Sequence, residues 1–394
     1  MKKPVILIPV RYYFPAVNAG GPVRSLVGLV EHLSNDFQIK IITPNHDLGN
    51  TTSFDSTIPD QWQKTGNAEV FYLSEKMCYS RYVRQLIKKT PYDILYLNSF
   101  FDPLFTIKPL WWRCWGLIPN KPVVLAPRGE LSENAISLKV LKKKYYARFS
   151  KIFSMTKNIF WQASAPLERY AIESFLKKYG CEKNPVIQIA RDLRPMLPRD
   201  TNRPVKKKGE IQLIFLSRLH PIKQLHVAIE VLRFLQGKVC FDIFGTYTQQ
   251  EKNYIAMCQN IVTKLPDNIH VTFCGDVNPW EVGNIMAAHH VFVLPTLTEN
   301  YGHVIGEALS AGCPVVISDQ TPWQNLKEHG VGNVVPLEDI NGYAQAIQKY
   351  IDMDEREFAE ISRKAHEYGE AERCNPDVIE DNKRLFMEVL KQYH

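Results

Sequence analysis

The chain has 394 residues, 45% hydrophobic and 23% charged, with a formal net charge of +7. That length exceeds one ordinary hydrophobic core and implies two domains, in a composition typical of soluble globular proteins. No apolar run approaches the roughly eighteen residues of a membrane-spanning helix.

The N-terminal run Met1-Lys-Lys-Pro-Val-Ile-Leu-Ile-Pro-Val10 superficially resembles a signal peptide. Its apolar stretch ends at Arg11 with no small-residue cleavage site after it, so it reads as a first buried strand. Further strand-like runs follow at Phe37–Thr43, Ala68–Leu73, Asp93–Asn98, Pro122–Ala126, Ile159–Ala163 and Val186–Ile189. They are rich in Val, Ile and Leu without polar alternation, as expected of parallel strands covered by helices on both faces. A Pro- and charge-rich stretch, Arg191 to Gly209, reads as a linker. The pattern then repeats at Ile211–Ser217, Val239–Gly245, Ile269–Cys274, His290–Leu294, Val315–Ser318 and Asn333–Pro336. From about Asp354 the chain is acidic with helical period, ending in the amphipathic run Val378–Leu390. The expected class is therefore α/β: two doubly wound parallel-sheet domains, 1–190 and 210–370, facing an interdomain cleft, with a linker at 191–209 and a C-terminal helix at 371–394 that packs back on the first domain.

Charge divides the halves. Residues 1–200 hold 29 Lys+Arg against 16 Asp+Glu, whereas residues 201–394 hold 19 against 25, so only the first half suits an anionic partner. Its most basic segment, Ser137–Phe153, places Leu138, Leu141, Tyr145, Phe149, Ile152 and Phe153 at helical spacing among six Lys and Arg. It reads as a domain helix, as a face for anionic lipid aided by Leu110–Trp115, or as both. No nucleic-acid-binding motif accompanies it, so nucleic acid is not an expected partner. The eight cysteines lack paired metal-type spacing and fit buried free thiols in a reducing cytosol.

The segment Pro295–Leu309 is the most informative in the chain. It lies between two strand-like runs and places Glu299 and Glu307 eight positions apart, with Gly302 opening the intervening helix. One carboxylate then lies at the helix mouth and the other a turn inside. That arrangement grips a polyhydroxylated ligand whose anionic part rests on the helix N-terminus. Arg218 and Lys223 fall in the turn after the first strand of the same domain, at the end where open α/β sheets bind ligands. A forked guanidinium with a mobile ammonium suits a diphosphate. Surface charge is the ordinary fate of either residue alone; the four together favour a phosphate and sugar site. A hydrolase pair would have to face across one glycosidic bond, which this spacing makes awkward. Asp352-Met-Asp354 has an Asp-x-Asp form, but its acidic neighbours mark a solvated helix face, and no metal is indicated.

The run Ser217-Arg218-Leu-x-x-x-Lys223, the strand ending at Gly245, Val271-Thr-Phe-Cys-Gly275 and Glu299-Asn-Tyr-Gly302…Glu307-Ala-Leu-Ser-Ala-Gly-Cys-Pro-Val-Val316 together resemble the retaining glycosyltransferases of family 4, which have the two-domain GT-B fold. The resemblance implies that Arg218 and Lys223 bind the donor diphosphate, Glu299 the donor sugar and Glu307 the ribose. It places Gly20, Gly21, Gly245, Gly275, Val277, Asn300, Tyr301, Gly302, His303 and Val304 around the donor, and Arg24, Asn98 and Arg128 on the acceptor side. It implies no cofactor beyond a nucleotide diphosphate sugar, UDP- or GDP-linked, as co-substrate. It also implies a bacterial surface-polysaccharide enzyme with a lipid-linked saccharide acceptor, cytoplasmic and peripheral on the inner face of the plasma membrane. An epimerase of the same fold, or a nucleotide-sugar or glycan-binding protein without turnover, are the alternatives. Two departures fall on the acceptor side: Asn98-Ser99 where many relatives have His, and Ile189-Ala-Arg-Asp192 where Pro-Asn-Gly is usual.

Overall fold

The computed structural model describes residues 3–16, 19–50, 52–131, 158–179, 185–197, 203–278, 280–299 and 301–392. Contacts divide the chain into two units, one of Met1–Pro195 with Pro376–His394 and one of Met196–Asn375.

The first unit begins β1 (Val5–Pro9), α1 (Gly21–Leu33), β2 (Gln38–Pro44), β3 (Trp62–Thr65), β4 (Ala68–Leu73), α2 (Ser80–Lys89) and β5 (Ile94–Asn98). After a π-helical turn over Pro103–Ile107 come α3 (Lys108–Cys114), β6 (Val123–Ala126), β7 (Ile159–Ala163), α4 (Pro166–Tyr179) and β8 (Val186–Ile189). The sheet order is β3-β4-β2-β1-β5-β6-β7-β8, parallel except for the β3–β4 hairpin. Every residue of β1 and β5 is buried, consistent with continuous apolar runs in a sheet covered on both faces. The basic segment 137–153 lies outside the described residues.

The second unit comprises β9 (Glu210–Leu216), α5 (Leu225–Leu232), β10 (Lys238–Phe244), α6 (Lys252–Val262), β11 (Ile269–Gly275), α7 (Val282–Ala287) and β12 (Val291–Leu294). There follow α8 (His303–Ser310), β13 (Val315–Ser318), β14 (Gly332–Val335), α9 (Ile340–Asp352) and α10 (Glu355–Arg373). Its sheet is all parallel in the order β11-β10-β9-β12-β13-β14. Asp354 caps α10 by accepting the Glu357 N–H at 2.9 Å, so the second aspartate of the Asp-x-Asp run has a structural partner.

The final helix, α11 (Pro376–Lys391), belongs to the first unit. Its Val378, Leu385, Phe386 and Val389 join the apolar layer beneath α1. Phe386 meets Phe37 and Tyr96 edge-on, with centroids 5.8 and 5.2 Å apart. The stretch expected to be a linker, 191–209, is divided between the units. Arg191 accepts from Asn382 Nδ2 at 2.8 Å through its carbonyl in the first. In the second, the Arg203 guanidinium donates to the Ala287 and Ala311 carbonyls at 3.1 and 2.7 Å. Buried Lys206 donates to the carbonyls of Lys207, Ile351 and Met353 at 2.8, 3.1 and 3.0 Å. Burial lowers the Lys206 pKa against the pull of surrounding carboxylates led by Asp352.

Candidate functional site

In the second unit the order of strands reverses between β9 and β12, and an open α/β sheet leaves a ligand crevice beyond the carboxyl ends of two such strands. Beyond β9 the chain turns through exposed Arg218 and buried Leu219. A 3₁₀ turn, Pro221–Lys223, follows. The His220 imidazole caps that turn, its Nδ1 accepting the Ile222 N–H at 3.2 Å. The Ile222 carbonyl accepts the Leu297 N–H at 2.8 Å and the Thr296 hydroxyl at 3.2 Å, tying the turn to the loop after β12. The tie brings Lys223 Nζ into an ion pair with Glu299 Oε1, their side chains 13% and 14% exposed. Arg218 has no carboxylate partner among the described residues.

Glu299 lies in the loop before α8, and its N–H donates to the Gln320 carbonyl at 3.1 Å. Gly302 caps α8 at φ 75°, a left-handed conformation that glycine adopts without cost. A Cβ there would come within 2.9 Å of the Ile305 side chain. His303 and Val304 form the first turn of α8, half-buried, and the Tyr301 and His303 rings stand 4.9 Å apart. Glu307, one turn inside, is buried at 5% exposure. Asn300 lies outside the described residues. The helix mouth therefore presents backbone N–H groups beside a lysine–glutamate pair and an exposed guanidinium, which can hold a phosphate group and accept hydrogen bonds from hydroxyls.

The ends of β10 and β11 adjoin this edge. Gly245, at φ 146°, lies so close to β9 that a Cβ would sit 1.8 Å from the Ser217 carbonyl oxygen. Its N–H donates to the Gly275 carbonyl at 2.7 Å. Val277 follows, half-buried, in a turn where its N–H meets Asp276 Oδ1 at 2.8 Å.

In the first unit Gly20 caps α1 at φ 69°, followed by Gly21 and, on the first turn, half-buried Arg24. Asn98 and Arg128 come together. Asn98 Oδ1 accepts from Arg128 Nε and Nη2 at 3.0 and 2.8 Å, and Nη2 also donates to Tyr96 Oη at 2.8 Å. Arg128 Nη1 is ion-paired with Asp192, which accepts from the Ser25 hydroxyl at 2.9 Å. Burial disfavours the Arg128 charge, but the fields of Asp192, Tyr96 and Glu168 outweigh it and raise the pKa. Glu130 accepts from the Ser99 hydroxyl and the Phe100 N–H at 2.8 and 2.7 Å. Arg128, in the loop after β6, thus ties the end of β5 to residue 192. His220, Gln320, Trp323 and Glu130 hold candidate residues in place and were given no role by sequence reasoning, while Asp192, noted there only as a departure, proves to be the partner of Arg128.

A 3-2-1-4-5-6 parallel sheet, with Arg218 and Lys223 beyond its first strand and Glu299 and a helix mouth beyond its fourth, has the strand order of a dinucleotide-binding fold. Residues 198–371, nearly all of the second unit, match the family model described as Glycosyl transferases group 1. A protein of Escherichia coli named as a colanic acid biosynthesis glycosyltransferase is 29% identical over 206 residues, 49% of this chain and 48% of that protein. The chain thus spans about half the length of the curated relatives it matches first. Among solved structures, sucrose-phosphate synthase from Thermosynechococcus elongatus superposes with a TM-score of 0.69 at 16% identity, covering 99% of this chain and 100% of that one. The Anabaena protein HepE, in complex with UDP and glucose, gives 0.64 at 17% identity over 98% and 99%. These likenesses show the GT-B fold for the chain.

Proposed function

We propose that this protein is a retaining glycosyltransferase that moves a hexosyl or N-acetylhexosaminyl group from a UDP- or GDP-linked donor to a saccharide acceptor. The observation that supports this most is the Lys223–Glu299 pair at the strand-order reversal, flanked by Arg218 and the Gly302 helix mouth. As the bond from anomeric carbon to phosphate oxygen breaks, the leaving diphosphate gains negative charge. The guanidinium of Arg218, the ammonium of Lys223 and the N–H groups at the start of α8 face that charge, and a preorganised donor of this kind is typically worth about 10²–10³ in rate. Lys223, paired with Glu299, exchanges part of that partner for the diphosphate. The Glu299 carboxylate then accepts from the donor sugar, while Glu307 accepts from the ribose. The new bond forms on the face from which the phosphate departs, and a leaving oxygen takes the acceptor proton. The scheme uses no protein nucleophile and no metal.

The acceptor falls to the first unit, with Arg24 and the loops fastened by Asn98 and Arg128. We assign it to a lipid-linked saccharide of bacterial surface polysaccharide, a reading supported by the Escherichia coli relative's colanic acid name. The basic segment 137–153 is then a contact for the anionic inner face of the plasma membrane. Among the described residues no helix is long and apolar enough to cross a membrane. The test is a thermal-shift panel of UDP-, GDP-, ADP- and dTDP-sugars. A donor bound at 100 times its Kd stabilises by about 2.7 kcal/mol, a readable rise in melting temperature. No response to any of the four overturns the donor assignment.

A further inference from the structure

The loop after β13 holds both Glu299 and Tyr301. The Glu299 N–H donates to the Gln320 carbonyl at 3.1 Å, and the Trp323 indole N–H donates to the Tyr301 carbonyl at 2.7 Å. The Tyr301 carbonyl precedes the α8 ladder, which opens with Ile305 N–H on the Gly302 carbonyl at 2.9 Å. The indole therefore fixes the peptide plane between Tyr301 and Gly302, on which the left-handed conformation of Gly302 depends. A Cβ on Gly302 would stand 3.4 Å from Trp323 Nε1, so indole and helix mouth are in direct apposition.

The clamp is itself braced. Ser318 Oγ donates to the Thr296 carbonyl at 2.6 Å, and the Trp323 N–H meets Thr321 Oγ1 at 3.3 Å. Trp323 is 8% exposed, with its ring 6.2 Å from Tyr301 and 6.5 Å from Tyr368. Ring burial alone would explain an apolar side chain here. It does not explain an N–H aimed at the carbonyl beside the helix cap, because any aromatic ring fills the space.

We infer that Trp323 is a positioning residue for the transfer: through the Tyr301 carbonyl it sets the Glu299 loop and the first turn of α8 against the donor sugar. This rests on the donor reading above and assigns the residue to turnover more than to nucleotide affinity, since the Glu299 loop that meets the donor sugar is held by the clamp while Arg218 lies in the separate turn after β9. Misplacement of reacting groups by about 1 Å can cost on the order of 100-fold in rate.

Trp323→Phe keeps the buried ring and removes only the indole N–H. Its turnover, with the nucleotide sugar that stabilises the wild type most, is expected to fall roughly 10- to 100-fold. Calorimetric affinities for UDP and GDP should stay within about threefold of wild type. Amide exchange in peptides covering 296–305 should accelerate while that of β9 and β13 does not. Thr321→Val, which removes the hydroxyl bracing Trp323, should show the same split to a smaller degree. Wild-type turnover with unchanged exchange at 296–305 would reduce Trp323 to core packing and overturn the proposal. So would nucleotide affinity and turnover falling together. Exchange is measured without ligand, so the clamp stands or falls separately from the donor assignment.

Discussion

Consider removal of one charge at a time from the Lys223–Glu299 pair. Both side chains are about seven-eighths buried, 13% and 14% exposed, so neither charge is well solvated when its partner is lost. Breaking a fully buried pair from one side costs about 3–5 kcal/mol, and the residual exposure here lowers that to about 2–3 kcal/mol. A unit the size of Met196–Asn375 melts about 2–4 °C lower for each kcal/mol. Lys223→Met and Glu299→Gln should therefore each lower the transition by roughly 4–12 °C in calorimetry of the full chain. The double variant removes both charges, so its loss should fall short of the sum by an amount equivalent to at least about 1.5 kcal/mol. Strict additivity of the two losses would refute the pair as a coupled unit in the ligand-free protein, and with it the account of how Lys223 is held ready for a diphosphate.

Other outcomes are equally specific. Glu307→Ala should weaken nucleotide binding in calorimetry, whereas Glu299→Ala should mainly lower turnover; wild-type activity in both would dismiss the site. Gly245→Ala places a methyl group 1.8 Å from the Ser217 carbonyl. Strain and overpacking together should cost about 2–5 kcal/mol and disturb neighbouring Arg218, so an unchanged melting temperature would contradict the close approach. Burial pushes the His290 pKa down from 6.5 to about 4 while Nδ1 accepts the Gln212 N–H at 3.0 Å. A depressed folded pKa means this contribution is present above pH 6.5 and lost as pH falls toward 4, worth about 3 kcal/mol. His290→Gln should accordingly lose less stability than wild type across that interval in pH-dependent melting. In liposome flotation, binding should require anionic lipid and weaken with salt; binding insensitive to salt would remove the electrostatic contact assigned to 137–153.

The sheets were legible in the sequence because parallel strands buried on both faces appear as apolar runs, and Ala68–Leu73, Ile159–Ala163, Val186–Ile189 and Val315–Ser318 match the observed limits. β3 was not legible: Trp62-Gln-Lys-Thr65 is a short polar edge strand whose pairing comes from β4 alone. The Gly66-Asn67 dipeptide between them is a recognised hairpin turn and was the available signal. Glu299, Gly302 and Glu307 stood out in the sequence as a candidate site because they share one loop and helix. Their support was not. Trp323 reaches Tyr301 across 22 positions and Asp192 reaches Arg128 across 64, and such contacts between loops leave no periodic trace. The stretch 191–209 carries contacts that are silent in the sequence for a related reason. Its charges suggested solvent, but Arg203 and Lys206 make their bonds to backbone carbonyls, which carry no sequence signal.

The membership of α11 in the first unit bears on how the protein is made. A ribosome delivers β1 to β8 first, then the whole of Met196–Asn375, and only then the helix whose Val378, Leu385, Phe386 and Val389 complete the layer under α1. At about 5–20 residues per second, the second unit's 180 residues occupy roughly 10–40 s during which that layer waits uncovered. The middle of the chain can reach its native state during synthesis, while the beginning cannot. Newly made first units are thus the aggregation-prone species, and shortening the chain at Pro376 would make that vulnerable interval permanent.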